Sequence, residues 1–242
     1  MAKAITAHNL TKKFGSFIAT NAITFDVDQG EVFGFLGANG AGKTTAIKML
    51  TGLSIPSSGE ATVAGLDVYK KPEQIKRRIG YMSQKFSLYE DMTVIENISF
   101  YGGIYGLKRN EIKERGQLSV NNLGMAEVKN QKVASLPLGW KQKLAFAVAT
   151  LHKPSVVFLD EPTGGVDPIT RRQFWEMIYQ AAEEGITVFV TTHYMDEAEY
   201  CNRISIMVDG IMVACDSPET LKKQHQVSSI EEVFIKIARG SE

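Results

Sequence analysis

Gly37-Ala-Asn-Gly-Ala-Gly-Lys-Thr-Thr45 matches the pattern G-x-x-x-x-G-K-[ST], with Gly37, Gly42, Lys43 and Thr44 at its fixed positions. The residues before it, Glu31-Val-Phe-Gly-Phe-Leu36, are apolar enough for a buried strand, and Ala46-Ile-Lys-Met-Leu50 after it suit a helix. Strand, glycine-rich loop and helix in that order is the context in which this pattern holds a polyphosphate. A polyphosphate concentrates negative charge in a short span. Backbone N–H groups along Asn39, Gly40, Ala41, Gly42 and Thr45, gathered at a helix N-terminus, answer that charge. Glycines let the backbone close without a Cβ in the way. Lys43 can reach the β- and γ-phosphates, and the Thr44 hydroxyl can ligate magnesium.

Composition bounds the rest. The chain has 242 residues, 44% hydrophobic and 22% charged, an ordinary globular balance that suits one large domain or two lobes. Its formal net charge is zero, so no electrostatic hold on nucleic acid or on an anionic membrane surface is expected. Cys201 and Cys215 form no metal-binding spacing and read as free thiols in a reducing compartment. The longest apolar run, about Ala145 to Leu151, is far short of the roughly 20 residues a span needs, and the N-terminus lacks a signal-peptide core. The expectation is a soluble, cytoplasmic chain with one nucleotide site.

Ile23-Thr-Phe-Asp-Val-Asp28 alternates strictly and reads as a half-buried antiparallel strand; shorter strands are expected near residues 3–8 and 60–64. No strand is legible between about 85 and 153. That block instead carries three helices. The first has a capping box, Thr93 with Glu96, and apolar Val94, Ile95, Ile98 and Tyr101 at helical spacing. The second spans 110–122, and the third starts just after Pro137. The core resumes with Val156-Val-Phe-Leu-Asp160, a helix from Pro168 to about Glu184, a buried strand to His193, and a hairpin turning at Asp209-Gly210. The tail is an amphipathic helix with Ile230, Val233, Phe234 and Ile237 on one face. The reading is an α/β core over 1–84 and 154–242, including an N-terminal antiparallel β subdomain, with a helical subdomain inserted at 85–153.

An apolar strand ending in Asp160-Glu161 is the second chemical signal. It places Asp160 near the magnesium, usually through water, and aims Glu161 at the γ-phosphate, where it can orient and deprotonate a water. With these motifs in order, the chain resembles the nucleotide-binding subunit of an ATP-binding cassette (ABC) transporter over nearly its whole length. The resemblance implies a P-loop NTPase with a RecA-like core, binding ATP and Mg2+ and hydrolysing ATP in a head-to-tail dimer. It identifies Gln84 with the Q-loop sensor of magnesium and γ-phosphate, and Leu136-Pro-Leu-Gly-Trp-Lys-Gln142 with the family signature. Asp160 and Glu161 match the Walker B pair, Asp167 the D-loop and His193 the switch histidine. Phe14 is the preferred aromatic for stacking on adenine, because the family places it just before a glycine, here Gly15; Phe17 competes. The implied partners are a membrane-spanning subunit, docked near residues 85–105, and a second ATP-binding subunit, identical or not. Nucleic acid is not among them, since the tandem cassettes, coiled coil and basic surfaces of ribosome- or DNA-directed relatives are missing. A GTPase would leave the Glu161 and signature matches unexplained.

The signature departs from the family's Leu-Ser-Gly-Gly. Pro137 stands at the serine and Leu138 at the first glycine, leaving Gly139 and a helix N-terminus to face the partner's phosphates. Proline has neither a hydroxyl nor an N–H to donate, and one lost donor costs on the order of 1–3 kcal/mol. A weakened signature fits an asymmetric pair, or a nearly inactive regulatory subunit; the alternative is that Lys141 or Trp140 compensates. Similar stretches, together with the segment Ser229 to Phe234, resemble bacterial exporter ATPases.

Overall fold

The computed structural model describes residues 2–84 and 88–239. In chain order, β1 (Lys3–Phe14) and β2 (Phe17–Asp28) form a long hairpin, and β3 (Val32–Gly37) leads through the glycine-rich loop into α1 (Lys43–Leu50). Then come β4 (Ser58–Val63), β5 (Leu66–Asp67), α2 (Pro72–Arg78) and β6 (Ile79–Met82). The helical stretch is α3 (Val94–Ile104), α4 (Arg109–Asn122) and α5 (Leu138–Thr150). The chain returns as β7 (Val156–Asp160), α6 (Pro168–Glu183), β8 (Thr187–Thr192) and α7 (Met195–Ala198), and closes with β9 (Arg203–Val208), β10 (Ile211–Asp216), α8 (Pro218–His225) and α9 (Ile230–Arg239).

Two sheets result. The antiparallel sheet has the order β2-β1-β4-β5, and the larger one β10-β9-β3-β8-β7-β6, parallel except for β10. The phosphate-loop strand β3 and the Asp160 strand β7 both flank β8, so three consecutive strand ends bring Gly37, Asp160 and Thr192 to one edge. These strands are buried on both faces, which explains their continuous apolar runs.

Strand periodicity sorts the side chains into two cores. Phe33, Phe35, Phe158 and Phe189 pack toward Phe25 and the antiparallel sheet, with ring centroids 5.2–6.1 Å apart. Their neighbours Val32, Leu36, Val157, Leu159, Val188 and Val190 face the helices. Val94 and Ile98 of α3, Leu144 and Phe146 of α5 and Val233 of α9 share that second core with the sheet. The helical block is therefore continuous with the core of the larger sheet rather than a separately packed unit.

The capping box forms as expected: Thr93 Oγ1 accepts from the Glu96 N–H, and Glu96 Oε2 accepts from the Thr93 N–H at 2.8 Å. The Asp209-Gly210 turn has positive φ at both residues, 48° and 79°, as a type I′ hairpin requires. β1 runs further than its alternation suggests. Asn9 has φ 49° and the register shifts between Ala7 and Leu10, so the period of two breaks while the ladder continues to Phe14.

Candidate active site

The glycine-rich loop begins where β3 ends. Ala38, Asn39 and Gly40 form its exposed crest, while Ala41 and Lys43 turn inward. Gly42 cannot be replaced: its φ is 98°, and a Cβ there would lie 2.4 Å from the Ala19 carbonyl oxygen. Thr44 and Thr45 occupy the first turn of α1. Lys43 is 4% exposed, and its ammonium donates to the Gly37 and Ala38 carbonyls at 2.7 and 3.1 Å. A buried cation at a helix N-terminus, ringed by inward backbone, is a cradle for an anionic group.

Asp160 ends β7 almost fully buried. Its Oδ1 accepts from the Thr191 hydroxyl at 2.7 Å and from the Thr44 hydroxyl at 3.3 Å. Tyr81, on neighbouring β6, has its phenol pushed up to about 12 by burial and then by the charge of Asp160. Among the described residues no group of three or more His, Cys, Asp or Glu could cage a metal. The Thr44–Asp160 pair instead fits an ion like Mg2+, which takes few protein ligands and completes its shell with water and phosphate oxygens.

Glu161 sits where Asp160, Lys43, Gln84 and His193 converge. Its φ is 51°, a left-handed conformation that is strained for a residue with a Cβ. Thr191 pins it there: the Glu161 N–H is shared between the Thr191 hydroxyl at 3.0 Å and the Thr191 carbonyl at 3.2 Å. The carboxylate faces three partners. Gln84 Nε2 donates to Oε2 at 3.0 Å, Lys43 Nζ is 3.4 Å from Oε1, and His193 Nδ1 is 3.1 Å from Oε2. The His193 contact has the distance of a hydrogen bond but not its alignment, leaving Nδ1 without a directed partner among the described residues.

The remaining expected residues lie on two other surfaces. Asp167 caps α6: Oδ1 accepts from Ile169 and Thr170 N–H at 3.0 Å each, and Oδ2 from the Thr170 hydroxyl at 2.6 Å. These bonds, that of the Thr170 hydroxyl first, hold its carboxyl below the usual range. Gly139, in the first turn of α5, abuts the same helix; a Cβ there would meet Thr170 Cγ2 at 2.4 Å. Gln142 Nε2 donates to the Gly164 carbonyl at 2.9 Å, and Leu138 is 40% exposed beside Gly165. The start of α5 therefore packs on the 164–170 segment. Phe14 and Phe17 face each other across the β1–β2 turn, both more than half exposed, with Lys12 Nζ 5.1 Å from the Phe14 ring centre. Both can offer a flat face to a base.

Thr191 is a site residue that no sequence motif marks. It holds both acids, yet a threonine in a buried strand reads as an ordinary β-branched filler. Of the segment expected to receive a membrane partner, residues 85–87 lie outside the described residues. Beyond them, Tyr89, Phe100 and Tyr101 form an edge-to-face cluster with centroids 4.8 and 5.4 Å apart.

Comparison with known proteins supports one family. A family model described as "ABC transporter" matches residues 20–164. The chain is 48% identical over 220 residues to "Probable multidrug ABC transporter ATP-binding protein YbhF" of Escherichia coli (strain K12), covering 91% of this chain and 38% of that protein. It spans well under two thirds of that relative's length. It is 36% identical to "Linearmycin resistance ATP-binding protein LnrL" of Bacillus subtilis (strain 168), covering 98% of this chain and 79% of that one. A solved structure titled "Structure of ATP binding subunit of ABC transporter" superposes with a TM-score of 0.88 at 26% identity, covering 97% of this chain and 99% of the other.

Proposed function

This chain belongs to the ABC transporter family of ATP-binding cassettes, and from that premise we propose that it hydrolyses Mg-ATP in a head-to-tail dimer that powers a separate membrane-spanning subunit, for export. The observation that carries the reading is the position of Glu161, one residue beyond the Thr44–Asp160 pair and in contact with Lys43, Gln84 and His193. In this reading Lys43 and the N–H groups of residues 39–45 hold the phosphates, with Phe14 against adenine and Phe17 as its alternative. Thr44 and Asp160, joined by Gln84, hold the magnesium, which when bound neutralises phosphate charge. Glu161 orients a water and takes its proton, and His193 stabilises the closed geometry. Gly139 and Asp167 face the nucleotide of the partner.

The test is turnover. Glu161→Gln keeps shape and ATP binding but removes the base, so the rate falls by about a hundredfold or more. Equal rates for the two proteins would refute the assignment.

The partner is a second ATP-binding subunit, in a homodimer or a heterodimer. The start of α5 favours the unequal pair: Pro137 caps the helix without a side-chain bond or an N–H, and Leu138 stands exposed beside it. An ordinary signature on the partner would then cover the P-loop of this chain. No helix among the described residues is long and apolar enough to cross a membrane. The chain sits on the cytoplasmic face through its membrane subunit, for which exposed Tyr89, Phe100 and Ile104 offer an apolar docking surface. The relatives named as a probable multidrug ABC transporter ATP-binding protein and a linearmycin resistance ATP-binding protein support export.

A further inference from the structure

Glu197, in α7, is fully buried, and its carboxylate is occupied on both oxygens. Oε1 accepts from the Thr163 hydroxyl at 2.5 Å and Oε2 from the Thr192 hydroxyl at 2.7 Å. Thr163 lies in the loop that leaves Asp160-Glu161, and Thr192 immediately precedes His193. The Thr192 oxygen also accepts from the Tyr194 N–H at 2.9 Å. Arg171 of α6 approaches from a third side, its Nε 3.5 Å from Glu197 Oε1, an ion-pair distance without hydrogen-bond alignment. The same guanidinium lies 4.2 Å from the centre of the Tyr194 ring, and that ring meets the His193 ring with centroids 4.2 Å apart. A single buried acid thus joins the loop after Glu161, the strand end that carries His193, and the helix that Asp167 caps.

We propose that Glu197 is a positioning residue that couples the His193 imidazole to α6 and the loop before it. It acts through Thr192, Thr163 and the Arg171–Tyr194 stack, so that displacement of α6 is felt at Glu161. A buried carboxylate stabilises a fold poorly compared with an apolar side chain of its size. What it contributes is direction: its oxygens are satisfied only when both hydroxyls point inward, which leaves the connected segments one arrangement. Misplacing a reacting group by about an ångström costs up to a hundredfold in rate while leaving ground-state binding alone. The inference rests on the ATPase reading above.

The test compares ATP turnover and binding of a fluorescent ATP analogue for the full chain and for Glu161→Gln, Glu197→Gln, Thr192→Val, Thr192→Ser and the Glu197→Gln/Thr192→Val double variant. Glu197→Gln and Thr192→Val are expected to lower kcat about tenfold with KM and analogue affinity within about twofold. The double variant is expected to be no worse than the poorer single, and Thr192→Ser, which keeps the hydroxyl, to turn over near wild type. Rates within about twofold of wild type for Thr192→Val and Glu197→Gln overturn the coupling, as does a rise in KM that matches the fall in rate. If Glu197→Gln does not fold, Thr192→Val against Thr192→Ser decides alone. Equal rates for wild type and Glu161→Gln sink the ATPase reading and this coupling with it. An inactive Glu161→Gln beside a fully active Thr192→Val sinks the coupling only.

Discussion

Replacing Thr191 by valine removes one hydroxyl from beneath both acids and changes almost nothing else. The side chains have nearly the same volume, and Thr191 is fully buried, so the substitution opens no cavity. Two hydrogen bonds are at stake. The bond to Asp160 Oδ1, 2.7 Å long and buried, goes to a carboxylate, and such bonds contribute roughly 1.5–3 kcal/mol. The Glu161 N–H, held by the hydroxyl at 3.0 Å, keeps the Thr191 carbonyl at 3.2 Å, so its loss is small. The expected destabilisation is about 2 kcal/mol, which for a domain of this size lowers Tm by roughly 4–8 °C. Among the described residues Asp160 then retains only the longer Thr44 contact at 3.3 Å, so more magnesium is expected to be needed for half-maximal turnover. Thermal unfolding and a magnesium titration of ATPase rate measure the two effects, with Thr191→Ser as the control that restores both. A valine variant melting within about 1 °C of wild type, with an unchanged magnesium requirement, would show that the hydroxyl does not hold the acids.

Four further outcomes are expected. Lys43→Ala removes the buried cation of the loop and abolishes binding of a fluorescent ATP analogue; retained affinity would contradict the phosphate role. Phe14→Ala raises KM for ATP by about tenfold, the loss of one stacked ring, and Phe17→Ala does so less; the reverse order would assign the base to Phe17. Pro137→Ser combined with Leu138→Gly restores a phosphate donor and raises turnover of the chain alone by about fivefold or more, and no change would end the idea of a weakened signature. His152 sets a pH dependence. Burial, with the nearby charge of Arg115, pushes its imidazole from 6.5 down to about 4 against the opposing bond to the Ile79 carbonyl. The unfolded ring therefore takes its proton first as pH falls. Stability is full above pH 6.5 and declines toward pH 4, and His152→Gln flattens that decline in denaturant titrations at pH 7 and 5.

Much of the fold was legible because its elements follow simple periods. The buried parallel strands around Phe35, Phe158 and Phe189 are short apolar runs, and the Thr93 box and the Asp209-Gly210 turn carry local signatures that need no tertiary context. Where a period broke, legibility stopped. The alternation of β1 ends where its ladder shifts at Asn9, although the strand runs to Phe14, and two-residue β5 is too short to show alternation. The site divides in the same way. Lys43, Thr44, Asp160, Glu161, Gln84 and His193 stand in recognisable neighbourhoods. Thr191 and Glu197 do not, since one looks like a strand residue and the other like a charged residue on a helix.

The sequence by itself determined that a phosphate loop, an acid pair, a glutamine and a histidine exist in the right order, because each sits at the end of an element whose type its neighbours dictate. Only the tertiary structure decided that they meet. Strand order puts β8 between β3 and β7, bringing Glu161 just past the end of β7 within reach of Lys43 at the start of α1, and setting Thr191 beneath both Asp160 and Glu161. Such pairing joins residues from about thirty positions apart, as in Thr191 with Asp160, to more than a hundred, as in Lys43 with Glu161, which no local period encodes.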